Sequence, residues 1–303
     1  MRAAPPAGLS HPIFGTSSEE SVKNRGGQIW GNRNAGSVAT AKTNAAFVHV
    51  APKSMPLPVL IAVPHAGRAY PDPVLVDMRD PSHCQLRLED RLVDALGIEI
   101  ARGTGTGLLV AHAPRAMIDL NRAHDDVDWE MVEPAQHQSP QTGTAHHKSQ
   151  HITLANARAR SGLGLIPRRL SGFGEIWRKR VRREELDRRI DRIHRPYHAF
   201  LSQELERIRD EWGAALLIDL HSMPPLKRKA GQDRAPKIVL GDRFGTSCHS
   251  NLVVRAFHYL EKLGCAVAHN RPYSGGYVLD RHCLLYTSPS PRDQRGSRMP
   301  SSA

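Results

Sequence analysis

Two histidines follow short apolar runs at distant points of the chain. His65 comes after the run Val59–Val63 and a proline, and His221 comes directly after the run at residues 214–220. A short apolar run bounded by turn residues predicts a strand buried on both faces, as in a parallel sheet. Because open α/β sheets bind ligands beyond the carboxyl ends of their strands, we expect the two imidazoles to share one site. The alternative is that two unrelated histidines each cap a strand.

Asp90 is the candidate for a third group at this site. Apolar residues recur at helical spacing around it, which predicts an amphipathic helix over residues 87–101. On such a helix Asp90 and Asp94 are four residues apart and share a face. That face is either a solvated acidic surface or the source of a carboxylate directed at His65.

Two neutral imidazoles and one carboxylate form a ligand set that binds Zn²⁺ and leaves its fourth position to water. One Zn²⁺ ion held by His65, Asp90 and His221 would lower the pKa of this water to about 7 and polarise a carbonyl oxygen. The three residues are far apart in the sequence and no HExxH motif is present. The predicted hydrolytic chemistry therefore depends on the fold bringing them together.

The segment at residues 114–122 places two arginines, an acid and an amide around an apolar centre. A guanidinium group matches a carboxylate with two parallel hydrogen bonds, so Arg115 and Arg122 are candidates to bind an acidic substrate. An ion pair between Arg122 and Asp119 is the structural alternative. Later in the chain, the glycines of the sequence PYSGGY are typical of a loop that closes over a ligand, or of a tight turn.

Strands and helices alternate along most of the chain, which predicts an α/β domain over residues 46–285. Residues 1–45 show no periodicity and are expected to form a disordered arm. Residues 286–303 are rich in Ser, Pro and Arg and resemble an adapter-derived translation, so we expect a foreign, disordered tail. The remaining predicted elements are strands at 108–111, 238–240 and 266–268, a helix at 252–263, and a long helix at 184–212 that Pro196 bends or splits.

The composition leaves few other classes of protein open. The net charge of +12 invites a nucleic-acid interpretation, but aromatic residues make up only 5% of the chain and no RNP, KH or zinc-finger pattern is present. The basic run at 178–183 is followed by acids that favour a solvated, ion-paired face. No apolar run reaches the roughly 18 residues that span a membrane. Four scattered cysteines without a CxxC motif favour a cytoplasmic protein.

Seven segments appear in the order VPHAG, LEDRLVD, PRAMIDLNRA, LGLIPRRL, DLHSMPP, IVLGDRFG and NRPYSGGYVLDRH. Together they strongly resemble the N-formylglutamate amidohydrolase family, over residues 58–282. The resemblance implies an α/β fold with a mixed, largely parallel central sheet flanked by helices, phosphorylase/hydrolase-like and related to zinc carboxypeptidases. It also implies hydrolysis of a small acidic N-acyl amino acid, N-formyl-L-glutamate, to formate and L-glutamate in histidine degradation.

The resemblance assigns roles to individual residues. The ligands of one Zn²⁺ would be His65, Asp90 and His221, with Glu89 as the neighbouring alternative to Asp90. The substrate-binding residues would be Arg115, Asn121, Arg122, Tyr273 and Gly275, and Gly276 belongs to the same loop motif.

The chain departs from the family pattern after the glycine loop. Family members continue into a strand with a glutamate that could act as general base, whereas this chain reaches Tyr286 and its foreign-looking tail first. We therefore expect a C-terminally truncated chain whose general-base glutamate is absent. A catalytically impaired family fragment and a basic nucleic-acid-binding protein are the alternatives to an active hydrolase.

Overall fold

The structure, a computed structural model, describes residues 45–133, 159–228 and 234–283 and the backbone of residues 22–23 and 29–35. A mixed, six-stranded sheet forms its centre. The strands are β1 (Val22–Lys23), β2 (Ile29–Ala35), β3 (Phe47–Pro52), β4 (Val59–Val63), β5 (Gly107–Ala111), β6 (Arg169–Leu170), β7 (Gly174–Glu175), β8 (Leu216–Asp219), β9 (Ile238–Leu240) and β10 (Val267–His269).

The strands of the central sheet run in the order β1-β2-β3-β5-β4-β8. β4 is parallel to β5 on one side and to β8 on the other, whereas β3 is antiparallel to β5 and to β2. The pairing of Ala62 with Asp219 brings the carboxyl ends of β4 and β8 to the same edge. The prediction of a mixed α/β fold, with a mostly parallel sheet formed by β3, β5, β4 and β8, is confirmed.

Helices flank this sheet. A short 3₁₀ turn, Trp129–Met131, lies among the connecting segments. The helices of the described residues are α1 (Asp72–Asp77), α2 (Pro81–Leu88), α3 (Val93–Thr104), α4 (Arg183–Arg189), α5 (Arg195–Trp212), α6 (Ser250–Lys262) and α7 (Tyr277–His282).

Strand β4 is buried on both faces because its side chains alternate between two hydrophobic cores. Leu60 and Ala62 belong to the larger core, to which α5 contributes Tyr197 and other residues. Ile61 and Val63 belong to the smaller core, which α3 covers. This two-sided burial is what the unbroken apolar run predicted, and it fixes the position of the turn that follows the strand.

The predicted helix over residues 87–101 is wrong, because the structure has two helices there, α2 and α3, separated by residues 89–92. Leu92 adopts the left-handed conformation with a φ of 66°. The backbone N–H of Asp90 donates to the carbonyl of His65 at 2.9 Å. This contact with the turn after β4 replaces a helical hydrogen bond and holds Asp90 at the edge of the sheet.

The predicted helix at 184–212 is present, but it widens into a π-helical turn just before Pro196. A π-helical turn, Ile190–His194, joins α4 to α5, and the backbone N–H of Arg195 donates to the carbonyl of Ile190. Proline has no N–H and its ring clashes with the carbonyl four residues earlier. The interruption that Pro196 predicted is therefore present as a widened turn rather than as a gap between helices.

The two ends of the described chain add smaller elements. β9 and β10 form a separate parallel pair against which α6 packs, and they lie within one residue of the predicted strands. β1 and β2 fall in the first 45 residues, where the sequence shows no periodicity, and β2 extends the sheet beyond β3. The remainder of that segment and the predicted foreign tail at 286–303 lie outside the described residues.

Candidate metal centre

The structure brings His65, Asp90 and His221 together at the carboxyl ends of β4 and β8. One ligand atom from each of the three lies within 4.8 Å of the others. Nδ1 of His221 is 2.9 Å from Oδ2 of Asp90, and Nδ1 of His65 is 3.7 Å from the same oxygen. Of the residues that the structure describes, these three form the group of His, Cys, Asp or Glu with the spacing of metal ligands.

A second carboxylate backs each histidine. Nε2 of His65 is 2.7 Å from Oδ1 of Asp119, and Nε2 of His221 is 2.9 Å from Oδ2 of Asp219. Metal-binding histidines usually donate their second ring N–H to a carboxylate or carbonyl, which fixes the tautomer and the ring orientation. With Nε2 committed in this way, Nδ1 of each ring is directed toward Asp90 and is available as a ligand.

Sequence reasoning missed the two backing aspartates. It named Asp119 only as an ion-pair partner of Arg122 and assigned no role to Asp219. A signal was present, because Asp219 ends β8 and His221 follows two residues later. In an extended strand such residues point to the same side, so the pair could have been expected to meet.

Asp90, and not Glu89, supplies the carboxylate beside the histidines. The hydroxyl of Ser222 donates to Oδ1 of Asp90 at 3.0 Å, which leaves Oδ2 for the imidazoles. Glu89 instead accepts a hydrogen bond from Nε of Arg91 at 3.2 Å. Burial raises the pKa of Glu89.

The electrostatics of the cluster favour an added positive charge. Burial alone would lower the pKa of His221, but Asp219 and Asp90 outweigh it and raise the pKa to about 10. Burial likewise opposes ionisation of Asp90, yet its hydrogen bonds with His221 and His65 hold its pKa below the ordinary value. A group of carboxylates that stabilises a positive charge on His221 also has the charge distribution that a metal ion requires. The residues present therefore fit a divalent cation.

Asp119 connects the cluster to two arginines. Its side chain is 2% exposed, and its Oδ2 is 2.9 Å from Nε of Arg115 and 3.8 Å from Nε of Arg122. Burial opposes ionisation of Asp119, but Arg115 and His65 outweigh it and hold the pKa well below its usual range. Both arginines predicted to bind substrate thus lie next to the carboxylate that also contacts His65.

Asn121 lies between the cluster and the glycine loop. Its Nδ2 is 3.4 Å from Oδ2 of Asp219 and 3.3 Å from Nε2 of His221. Its Oδ1 accepts a hydrogen bond from the backbone N–H of Val278 at 3.0 Å. A Cβ on Gly276 would lie 2.4 Å from this oxygen, so any other residue there would displace the carboxamide of Asn121.

The other predicted loop residues lie farther out. Gly275 has a φ of +106° and packs against Leu279 and Arg243. Tyr273 is 49% exposed. The structure therefore places Gly276 beside the cluster and Tyr273 at the surface of the same loop.

Three residues of the basic run at 178–183 make intramolecular contacts with their side chains. Arg178 donates to the carbonyls of Met78 and Arg79. Lys179 is paired with Asp77 at 3.0 Å, and Arg183 with Asp187 at 3.0 Å. These contacts agree with the ion-paired interpretation of the run. Within the described ranges, no helix has the length and apolar character needed to cross a membrane.

A parallel-sheet edge with two histidines and an aspartate, each histidine backed by another aspartate, defines an α/β protein with a candidate hydrolytic metal centre. A sequence model of the N-formylglutamate amidohydrolase family matches residues 57–285. This span is well over half of the chain, so the protein belongs to the N-formylglutamate amidohydrolase family. The resemblance that the sequence motifs indicated is confirmed.

Individual relatives agree with this assignment. The chain is 30% identical over 223 residues to an N-formylglutamate deformylase of Pseudomonas putida. It is 28% identical over 231 residues to that of Pseudomonas aeruginosa. Each alignment covers 73% of this chain and 73% of the relative.

Solved structures show the same relationship. The N-formylglutamate amidohydrolase from Ralstonia eutropha JMP134 superposes with a TM-score of 0.65 and 32% identity, covering 79% of this chain and 81% of that one. A gene product of Agrobacterium tumefaciens, 16% identical with a TM-score of 0.51 over 85% of this chain and 79% of its own, shares the fold.

Proposed function

We propose that this protein hydrolyses the amide bond of N-formyl-L-glutamate to formate and L-glutamate, using one Zn²⁺ ion held by His65, Asp90 and His221. The observation that carries the proposal is the paired arrangement of each imidazole, with Nδ1 toward Asp90 and Nε2 on a buried aspartate. The family to which the chain belongs supports the substrate. When bound, the zinc ion supplies an acidified water and a Lewis acid for the formyl carbonyl.

The chain's own residues hold this arrangement. Asp119 and Asp219 hold the Nε2 proton of each imidazole, so Nδ1 is the nitrogen that would release its proton and offer a lone pair to the ion. Ser222 holds one oxygen of Asp90 and thereby orients the other. These contacts place the three ligand atoms before any ion binds, which lowers the cost of ordering them.

The substrate is a dicarboxylate, and we assign its carboxylates to Arg115 and Arg122. A guanidinium group suits a carboxylate through charge and through paired N–H donors. Asn121 receives a positioning role, because both ends of its carboxamide already contact Asp219, His221 and Val278. Tyr273 and Gly275 lie farther out in the same loop, and we assign them to the outer part of the substrate site.

The general base is not assigned to a described residue. The carboxylates that back the histidines, Asp119 and Asp219, are each committed to an imidazole. From the sequence we expect the strand that carries a general-base glutamate to be absent, and its place after the glycine loop lies outside the described residues. This commitment of both aspartates favours a second candidate function, in which the protein binds zinc and an acidic ligand without turnover.

Formate release separates these functions. The purified protein is incubated with N-formyl-L-glutamate, with and without a chelator, and formate is measured enzymatically. We expect hydrolysis that is lost with chelator and returns with Zn²⁺, and His258→Ala, on the exposed face of α6, should behave as the wild type. Zinc binding without formate release would favour the binding function, and hydrolysis that resists the chelator would refute the metal mechanism.

The assignment of Arg122 predicts a dependence on substrate charge. Lysine keeps the positive charge but loses the planar pair of N–H donors. Arg122→Lys should therefore weaken the binding of N-formyl-L-glutamate by about tenfold, the effect of losing a charge-assisted hydrogen bond. Neutral N-formyl amino acids should be affected far less. Comparison of KM for N-formyl-L-glutamate and N-formyl-L-leucine tests this, and equal effects on both would reject a carboxylate clamp.

A further inference from the structure

Two buried histidines that the proposed chemistry does not use, His194 and His198, contact the segment at residues 119–122, and a half-buried third, His282, contacts His198. His194 and His198 are each 1% exposed, and their ring centroids are 4.4 Å apart. His282 of α7 stacks on His198 with centroids 5.3 Å apart and an interplanar angle of 10°. A buried polar ring is costly unless its nitrogens have partners, so the partners indicate what these histidines do.

His194 and His198 each contact a backbone carbonyl of the site segment. Nε2 of His194 is 2.8 Å from the carbonyl oxygen of Arg122, and Nε2 of His198 is 3.0 Å from that of Leu120. A carbonyl oxygen only accepts hydrogen bonds, so both rings carry their proton on Nε2. The two carbonyls belong to the residues on either side of Asn121.

The ring proton of His282 in α7 is assigned by the same hydrogen-bond argument. Since His198 carries its proton on Nε2, its Nδ1 is an acceptor for Nε2 of His282, 2.9 Å away. Nδ1 of His282 then accepts from the hydroxyl of Ser202 at 3.2 Å. All donors and acceptors match when the rings are neutral. Burial lowers the pKa of His194 to about 4, of His198 to about 2 and of His282 to about 4, consistent with neutral rings.

The helical segment places the Nε2 donors of His194 and His198 on the same side of its surface. His194 ends the π-helical turn and His198 lies in the first turn of α5, four residues later. Residues four apart on a helix are neighbours on its surface. π-helical turns occur often at functional sites, and here the turn sets the position of His194 relative to α5.

We propose that His194 and His198 are positioning residues that fix the backbone of residues 120–122 and thereby direct Asn121 and Arg122 into the site. The inference rests on the proposed function, because it assigns these histidines to substrate binding. The candidate metal ligands come from other segments of the chain. Loss of a histidine donor should therefore weaken substrate binding more than metal binding.

Paired substitutions at position 198 test the proposal. Leucine fills the volume but cannot donate, whereas the carboxamide of glutamine can replace the Nε2 donor. We expect His198→Leu to raise KM for N-formyl-L-glutamate by about tenfold, the effect of one lost buried hydrogen bond, with bound zinc retained and kcat changed less. His198→Gln should recover most of the wild-type KM.

A merely structural histidine would give a different pattern. His198→Leu would then lower the melting temperature and the active fraction, and hence kcat, while KM stayed at the wild-type value. That result, or a glutamine variant no better than leucine, would overturn the proposal. If His198→Leu does not fold, Ser202→Ala offers a second test, because it removes the hydroxyl donor at the other end of the hydrogen-bond series from His198 through His282 to Ser202. It should raise KM by a smaller factor, and an unchanged KM would count against the proposal.

A readout that needs no turnover keeps the inference separate from the proposed function. In ¹⁵N-histidine-labelled wild-type protein at pH 7, long-range ¹H–¹⁵N spectra report the tautomer of each ring. We expect slowly exchanging Nε2 protons on His194 and His198, and an Nδ1 proton on either ring would refute the contacts. Isothermal titration with L-glutamate, a product carrying both carboxylates, should show weaker binding to His198→Leu even if the wild type releases no formate.

Discussion

Two sets of histidines contact the same segment, residues 119–122, in different ways. His65 and His221 contact side chains of the segment, those of Asp119 and Asn121. His194 and His198 contact its backbone carbonyls. The first set is hydrogen-bonded to carboxylates and the second to uncharged backbone carbonyls, although all four rings are at least partly buried.

The partner, and not burial alone, decides the charge of these rings. Burial alone would lower the pKa of His221, yet beside Asp219 and Asp90 this pKa is raised to about 10. In the second set burial prevails and lowers the pKa of His198 to about 2. The first set is thus suited to bind a cation, and the second to act as a fixed array of neutral N–H donors.

The largest contrast between the two sets is expected in metal binding. His221→Gln should reduce zinc affinity by more than roughly 100-fold, since loss of a ligand should exceed the 10–100-fold effect of losing a ligand's partner. His198→Gln is the matched control and should retain stoichiometric zinc. Elemental analysis and competition with a chromophoric chelator measure both. Full occupancy in the double variant His65→Ala with His221→Ala would show that the ligand assignment is wrong.

A smaller effect is expected from the carboxylates that back the first set. Asp219→Asn removes the charge that holds the Nε2 proton of His221, and zinc affinity should fall by about 10–100-fold. Asp128→Asn is the control, because Asp128 is a buried aspartate paired instead with Arg168 at 2.6 Å. Chelator competition on both variants tests this. Equal zinc affinity in Asp219→Asn and the wild type would leave Asp219 without a role in the metal site.

The sequence predicted the first set far better than the second. Val59–Val63 and the run before His221 were recognisable as strands, and parallel pairing brings their carboxyl ends together whatever the loops do. Asp90 was named for the wrong reason. Leucine spacing predicted a continuous helix, and the hydrogen bond from its N–H to the carbonyl of His65 could not be seen in that spacing.

The second set gave no usable signal in the sequence. His194 and His198 lie in a helix where a histidine between apolar residues is indistinguishable from a solvent-facing one. Their function depends on which carbonyls lie opposite, and the carbonyls of Leu120 and Arg122 come from a segment some 70 positions earlier. The residue types in the sequence were therefore enough to predict a metal centre. The contacts of His194 and His198 with backbone carbonyls could be identified only in the three-dimensional structure.

The smallest predicted difference is the response of the second set to acid. The pKa of His194 is lowered to about 4, chiefly by burial and further by His124 and Arg281, although its hydrogen bond to Arg122 opposes this. An unfolded chain has a histidine pKa of about 6.5. Between these values the unfolded state binds more protons, so the stability contributed by the neutral ring is lost as pH falls.

For one such group the free energy of unfolding should fall by about 2 kcal/mol between pH 6.5 and pH 5. Urea denaturation of the metal-free protein at several pH values measures this loss. His194→Gln keeps a donor for the carbonyl of Arg122 but cannot titrate, so its stability should depend less on pH by that amount. His258→Gln, an exposed control, should follow the wild type. Parallel curves for His194→Gln and the wild type would mean that His194 is not held neutral, and the contrast between the two sets of histidines would fail at this residue.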